Sequence, residues 1–340
     1  MEINKCPGLL SEGFSTYSPL FLRRMFNGKK VSHILPYNAP ETDEEDQQKF
    51  MQNQKRFSIS GVQEKYSVLL EKNNLRLTEE KEQGHYILKP KPHGLQRTGM
   101  VPANEHLTMH IAAQVYNIPT AENGMIFFLN NEPAYLTKRF DIGPNGIKLG
   151  TEDFASLAGK TEENAGKNFK YNYSYEGIAE LLKEYVGAWK VEMEKYYSLV
   201  IFNFLFSNGD AHLKNFSLLE TINGDYVLSP AYDLLDTRIH VIDESLFALD
   251  NDLFKEWNWS NCRIQNPDHH PCREDFIEFG KAIGINESRV IKILAPFLKE
   301  QPEVENLINR SFLDEETRIL YRKHYKERLG MLNLVQETHK

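Results

Sequence analysis

At 340 residues the chain is long enough for two domains or for one domain of two lobes. Apolar residues make up 41% and charged residues 26%, a soluble globular balance that excludes disordered and fibrous classes. Forty basic against 48 acidic residues give a net charge of −8, which argues against a nucleic-acid binder working alone.

Residues 1–56 hold SPLFLRRMF and, after Pro36 and Pro40, an acidic run over 41–46 that reads as solvated surface. From 56 to 139 the pattern is mostly strand. KYSVLLEK alternates and is rich in β-formers, Asn73-Asn74 supplies a turn, and LRLT and HYILKP follow as short strands. GMIFFL and PAYLTKRF pair around Asn130-Asn131, a turn dipeptide able to take positive φ. One helix interrupts this set. ANEHLTMHIAAQVY places Leu107, Ile111 and Val115 at spacing four, and Pro119 closes it off.

After residue 146 helices dominate. SYEGIAELLKEYV sets Tyr175, Ile178, Leu181, Leu182 and Tyr185 on one face, with Ser174 as N-cap. VEMEKYYSLVIFNFLF is apolar nearly all round and reads as a buried central helix; REDFIEFGKAIG and EETRILYRKHYKERLGML are amphipathic. The expected organisation is an N-terminal segment over 1–56, a sheet-rich lobe over 57–145 and a helical lobe over 146–340. DIGPNGIKLG marks the lobe boundary.

The amino terminus MEINKCPGLL lacks a basic region followed by an apolar core, so no signal peptide is read there. The longest apolar run, 196–206, is interrupted by Asn203 and falls short of the roughly 18 residues of a membrane span. Three cysteines fit a reducing compartment, and a cytoplasmic protein is expected.

The buried helix runs out at SNGDAHLKNF, a stretch with almost nothing apolar in it. Asp210 and Asn215 are five positions apart, and FSLLETINGDYVLSPAYD then reads as a hairpin turning at Asn223-Gly224. That hairpin returns the chain to its start and sets Asp233 beside Asn215. Three oxygen-bearing side chains in one volume suit Mg²⁺ and phosphoryl transfer: one Asp takes the proton of the attacking hydroxyl, while an Asn and a second Asp hold metal. The Asp-x4-Asn spacing matches the kinase catalytic loop. Lys89, ending the strand YILKP, is the matching phosphate cation, and Glu105 can hold it in place. SISGVQEK, over 58–65, can cover the phosphates, although one glycine is a weak signal.

Taken in order, SISGVQEK, YILKP, NEH, KRFD, EDFASLAG, NGDAHLKNF and PAYD resemble the HipA family of bacterial toxin serine/threonine kinases. Only 57 residues precede Ser58, so the chain is similar to the short HipT-type members, whose missing amino-terminal module is a separate small HipS-like protein. The Ser58-Ile59-Ser60 sequence is similar to that type as well. The resemblance implies a two-lobed protein-kinase-like α+β fold using ATP and Mg²⁺. It implies Asp210 as catalytic base and Asn215 and Asp233 as metal ligands. Lys65 and Lys89 would hold nucleotide phosphates, with Ser60, Gly61, Val62 and Gln63 lending backbone donors. Lys138 and Phe140 of KRFD would form the hinge for adenine, with Lys138 departing from the usual Glu, and His212 would order the catalytic loop or touch phosphate. Family members phosphorylate aminoacyl-tRNA synthetases and autophosphorylate on phosphate-loop serines, which implies Ser58 and Ser60 as modified sites. The implied partners are an antitoxin of HipB type, DNA only through that antitoxin, and no membrane.

The residues leave two rival readings open, a kinase of small molecules or lipids and an ATP-binding pseudokinase scaffold. Cys262, His269, His270 and Cys272 cluster in sequence, but not at the spacing of close zinc ligands; Pro271 followed by CREDF reads as a helix start.

Overall fold

The computed structural model describes residues 3–39, 64–92, 95–143, 146–241, 245–256 and 270–334. The strand-rich first half forms one antiparallel sheet in the order β2–β1–β3–β5–β4. Its members are β1 (Tyr66–Glu71), β2 (Asn74–Leu77), β3 (Tyr86–Pro90), β4 (Asn123–Phe127) and β5 (Pro133–Lys138). Asn131 takes φ of 64° in the β4–β5 connection, a left-handed conformation that asparagine tolerates well.

Residues 3–39 cover one face of this sheet. Helix α1 (Pro19–Phe26) starts where the Ser18 side chain accepts a hydrogen bond from the Phe21 N–H, and it stops at left-handed Asn27 and Gly28. Phe21, Met25 and Phe26 then bury themselves against Val68, Leu88, Ile126 and Leu136. The contact is close at Gly124, where a Cβ would sit 2.5 Å from the Phe21 ring and 3.2 Å from the Gly8 Cα.

The other face meets α2 (Val101–Gln114). The Leu107 and Ile111 spacing marks only part of what it buries: every residue from Val101 to Ala112 is inaccessible. The reason is position, since α2 contacts β4 and β5 on one side and α9 (Pro302–Arg310) of the helical lobe on another. Leu107, Met109 and Ile111 share one apolar core with Tyr135 of the sheet and with the helices of the second half.

In the second half, β6 (Thr151–Asp153) pairs with β7 (Ser217–Glu220), which forms the expected hairpin with β8 (Tyr226–Leu228). The short helices α3 (Phe154–Leu157) and α4 (Glu162–Ala165) precede α5 (Tyr175–Tyr185), which Ser174 caps through the Gly177 N–H. Tyr175, Ile178 and Leu182 of α5 are buried, whereas Tyr185 in its last turn is 44% exposed. Helix α6 (Trp189–Leu205) is buried continuously over its last seven residues. Against it pack α8 (Glu287–Leu294) and α10 (Glu315–Leu332), and its Tyr197 hydroxyl donates to the Phe276 carbonyl of α7 (Arg273–Ala282), while α9 packs on α2 and α10. Cys272 is the N-cap residue of α7, with Glu274 and Asp275 in the first turn. Cys262 and His269 lie outside the described residues, and no group of three metal-ligating side chains occurs among the described ones. No helix among the described residues is long and apolar enough to cross a membrane. The architecture is α+β, a five-stranded sheet lobe on a mainly helical lobe.

Candidate active site

The site begins where α6 ends. Ser207 adopts φ of 52°, breaking the helix, and the Asn208 side chain donates to Asn203 Oδ1 at 2.9 Å and to the Asp233 carbonyl at 3.2 Å. These bonds fix the loop that presents Asp210, whose side chain is 52% exposed. A single 3₁₀ turn over Leu213–Asn215 follows, in which Asn215 Oδ1 accepts from the His212 N–H at 3.2 Å. The β7–β8 hairpin then carries the chain back, and Asn215 Nδ2 donates to Asp233 Oδ2 at 3.4 Å. Asp233 itself has φ of 56°, a left-handed conformation that aspartate adopts more readily than bulky residues.

From the sheet lobe, Lys89 extends out of β3. Its ammonium is buried, lies 2.6 Å from Glu105 Oε1 of α2 and forms a second ion pair with Asp233 Oδ1. Lys65 reaches the other oxygen, Asp233 Oδ2, at 3.3 Å. Burial works against the charge on Lys89, but Asp233 and Glu105 outweigh it and hold its pKa above the ordinary lysine value. Burial likewise opposes ionisation of Asp233, yet Lys65 and Lys89 keep its carboxyl far below the usual range. Glu105 is pushed upward by burial against the pull of Lys89. The structure therefore gathers Lys65, Lys89, Asn215 and Asp233, from four separate segments, in a cleft of about 920 Å³. Asp210 lines the same cleft.

Burial lowers the His212 pKa to about 4 and keeps its ring neutral at pH 7. The ring stacks edge-on against Tyr171 at 5.2 Å, and its Nε2 lies 3.8 Å from Asp210 Oδ1. A buried neutral ring in that place brings no positive charge to the cleft. Lys138 lines the cleft, but its ammonium donates to the Arg24 carbonyl at 3.2 Å, which leaves its side chain pinned to α1. Phe140 packs against Tyr232 with ring centroids 5.7 Å apart, and both line the cleft. Ser58, Ser60, Gly61, Val62 and Gln63 lie outside the described residues.

One site residue was not foreseen from sequence. The Tyr171 hydroxyl donates to Asp210 Oδ1 at 2.6 Å. It comes from an aromatic loop, NFKYNYS, that has no periodicity to mark it. Lys170 and Lys214 lie beside it on the same wall of the cleft.

The chain is similar to several known proteins. A Haemophilus influenzae protein described as a "Putative kinase" is 28% identical over 339 residues, covering 96% of this chain and 95% of that protein. A Sinorhizobium fredii protein with a similar description is 31% identical over 227 residues, which is 62% of this chain and 53% of that protein. Among solved structures, HipA from a Shewanella oneidensis complex of HipA, HipB and operator DNA superposes with a TM-score of 0.59 at 22% identity. That match covers 80% of this chain and 63% of the HipA chain. The Helicobacter pylori proinflammatory kinase CtkA gives a TM-score of 0.50 at 16% identity, over 78% of this chain and 93% of that one. The two-lobed α+β fold is thus kinase-like. The HipA-like C-terminal domain family matches residues 57–304, and the chain belongs to that family as a short HipA-type kinase.

Proposed function

We propose that this chain transfers the γ-phosphoryl group of ATP to a serine or threonine hydroxyl of a protein. The observation that carries the reading is Lys89 bridging Glu105 and Asp233 across the cleft. A kinase needs a buried cation held by a helix carboxylate on one side and an ionised metal-binding carboxylate on the other. The Asp233 carboxylate and an adjoining Asn215 amide oxygen would be hard donors of the kind Mg²⁺ takes. Asn215 here turns Nδ2 to Asp233 and Oδ1 to the His212 N–H, so its amide would turn to bind metal. The lysines keep Asp233 ionised, as a metal ligand must be. Bound there, the metal would supply charge neutralisation for the phosphates. Lys65 and Lys89 would hold phosphate oxygens. Asp210, half exposed in the cleft lining, would accept the proton of the acceptor hydroxyl as that oxygen bonds to phosphorus and ADP leaves.

Family membership supports a finer reading. The chain would act as the toxin of a toxin–antitoxin pair, neutralised by an antitoxin of HipB type or a small HipS-like protein, with DNA reached only through the antitoxin. Its acceptor would be an aminoacyl-tRNA synthetase, and Ser58 and Ser60 would be autophosphorylated. Adding close to two negative charges per serine beside the ATP phosphates would repel that loop from the nucleotide. The test is incubation of the purified chain with ATP and Mg²⁺, followed by mass spectrometry. One or two added phosphates, absent in Asp210→Ala, are expected. An unmodified chain together with no transfer to proteins of a cell lysate would overturn the reading.

A further inference from the structure

The neighbour of Glu105 on α2 is Asn104, and its side chain has no accessible surface. Successive residues on a helix point about 100° apart, so one helix can hold Lys89 with Glu105 and reach the opposite lobe with Asn104. Asn104 Nδ2 donates to the Asp236 carbonyl at 2.8 Å, and Asn104 Oδ1 accepts from the Asp236 N–H at 3.0 Å. The two bonds form a reciprocal clamp on the backbone of one residue, three positions after Asp233. The chemistry fixes the orientation of the amide, because a carbonyl only accepts and an N–H only donates. Nδ2 also contacts His240 Nε2 at 2.9 Å, and Thr108 Oγ1, whose one proton has the Asn104 backbone carbonyl at 2.9 Å as its nearer acceptor, lies 3.2 Å from Oδ1. His240 Nδ1 lies 2.9 Å from the Gln96 carbonyl, so Nδ1 carries the proton and Nε2 accepts from Asn104.

The clamp continues into the catalytic loop. The Thr237 N–H and hydroxyl both donate to the Ser207 carbonyl, at 3.0 and 2.9 Å, and Thr237 Oγ1 accepts from the Gly209 N–H at 2.9 Å. Gly209 precedes Asp210. A continuous run of buried bonds thus joins Glu105, through its neighbour, to the Asp233 segment and from there to the loop of Asp210.

We propose that Asn104 is a positioning residue: it locks α2, the Asp233 segment and the catalytic loop into one unit, so that the cleft is assembled without a swing of α2 or a signal from another segment. The claim rests on the kinase reading for its consequence and on geometry for its substance. An α2 that rotated outward would have to break a reciprocal amide clamp in a buried place, where unpaired polar groups are costly. Control of such an enzyme therefore acts on whatever enters the cleft and not on the placing of α2.

The test compares the unmodified chain with Asn104→Ala and Asn104→Asp. Asn104→Asp keeps the acceptor for the Asp236 N–H and loses the donor to the Asp236 carbonyl. We expect both to lower kcat by about 100-fold, as misplacement of reacting groups by about 1 Å does. Calorimetry should show binding of ADP with Mg²⁺ weakened and binding of ADP alone unchanged, a split that a merely loosened fold would not give. Hydrogen exchange at Asp236 should quicken in Asn104→Ala, which loses the acceptor of that N–H, and exchange at Thr237 should quicken in both variants; this readout needs no activity. If the unmodified chain transfers no phosphate, the kinase reading fails while exchange still decides the clamp. Unchanged exchange at Asp236 in Asn104→Ala overturns the proposal, as does a kcat loss that follows the melted fraction alone. Should both variants fail to fold, exchange in the unmodified chain decides. Amides of 104–108 and 236–237 opening with one common rate support the unit, and separate rates overturn it.

Discussion

Tyr171 donates its hydroxyl proton to Asp210 Oδ1 at 2.6 Å, in the place where an acceptor hydroxyl would have to approach that carboxylate. An incoming serine must take the other oxygen or displace the tyrosine. A hydrogen bond of this kind contributes about 1 kcal/mol, so Tyr171→Phe should lower KM for the protein acceptor about five-fold with kcat little changed. Steady-state kinetics on a peptide or protein acceptor check this, and an unchanged KM would remove Tyr171 from the acceptor path.

The ion pairs of Lys89 make a second expectation. Glu105 is 2% exposed, and Lys89→Met would leave it buried without its cation. Breaking one side of a buried pair in this way costs about 3 kcal/mol, whereas removing both charges costs less. Urea unfolding should therefore rank Lys89→Met below the double variant Lys89→Met/Glu105→Gln in stability, with both inactive.

Burial lowers His212 and His110 to pKa values of about 4. The unfolded chain takes up these protons near pH 6.5 and the folded chain does not, so stability rises with pH between those values. The contribution is complete above pH 6.5 and is lost as pH falls from 6.5 toward 4, by about 3 kcal/mol for each ring. Urea midpoints at pH 7, 5.5 and 4.5 should decline for the natural chain. The decline should be shallower in His212→Gln, which has no proton to gain.

Phe21 is fully buried between α1 and β4, against Gly8 and Gly124. Phe21→Ala should cost about 4 kcal/mol, the usual loss for a buried ring. Chemical denaturation checks this, and a loss below about 1 kcal/mol would show that residues 3–39 do not stabilise the sheet.

The legible parts of the chain were those with a strong local signal or a strong order. Asp210, Asn215 and the Asn223-Gly224 turn lie close in sequence, so the hairpin alone dictates that Asp233 returns to Asn215. Lys89 follows from a strand end in the same way. Helix α1 was unread although Ser18-Pro19 and Asn27-Gly28 bracket it, because eight residues give too little periodicity. Strand β6 is three residues long and exists through its pairing with β7, a contact made across more than 60 positions. Asn104 and Tyr171 were invisible for a related reason. Their partners are a backbone 132 positions away and a carboxylate 39 positions away, and neither spacing leaves a mark in the sequence.

Helix α10 ends the described chain far from the cleft residues in sequence, yet His324 Nδ1 lies 2.8 Å from Asp236 Oδ2, and Arg328 Nε donates to Ser207 Oγ at 3.2 Å. Those two side chains stand behind the segments that carry Asp233 and Asp210. A premature stop codon before α10 would leave every cleft residue encoded and still silence the protein. Under the proposed toxin reading, a selection for alleles that no longer arrest growth should recover nonsense and frameshift changes there alongside missense changes at Asp210, and a map of such alleles would trace the rear wall of the site as clearly as its front.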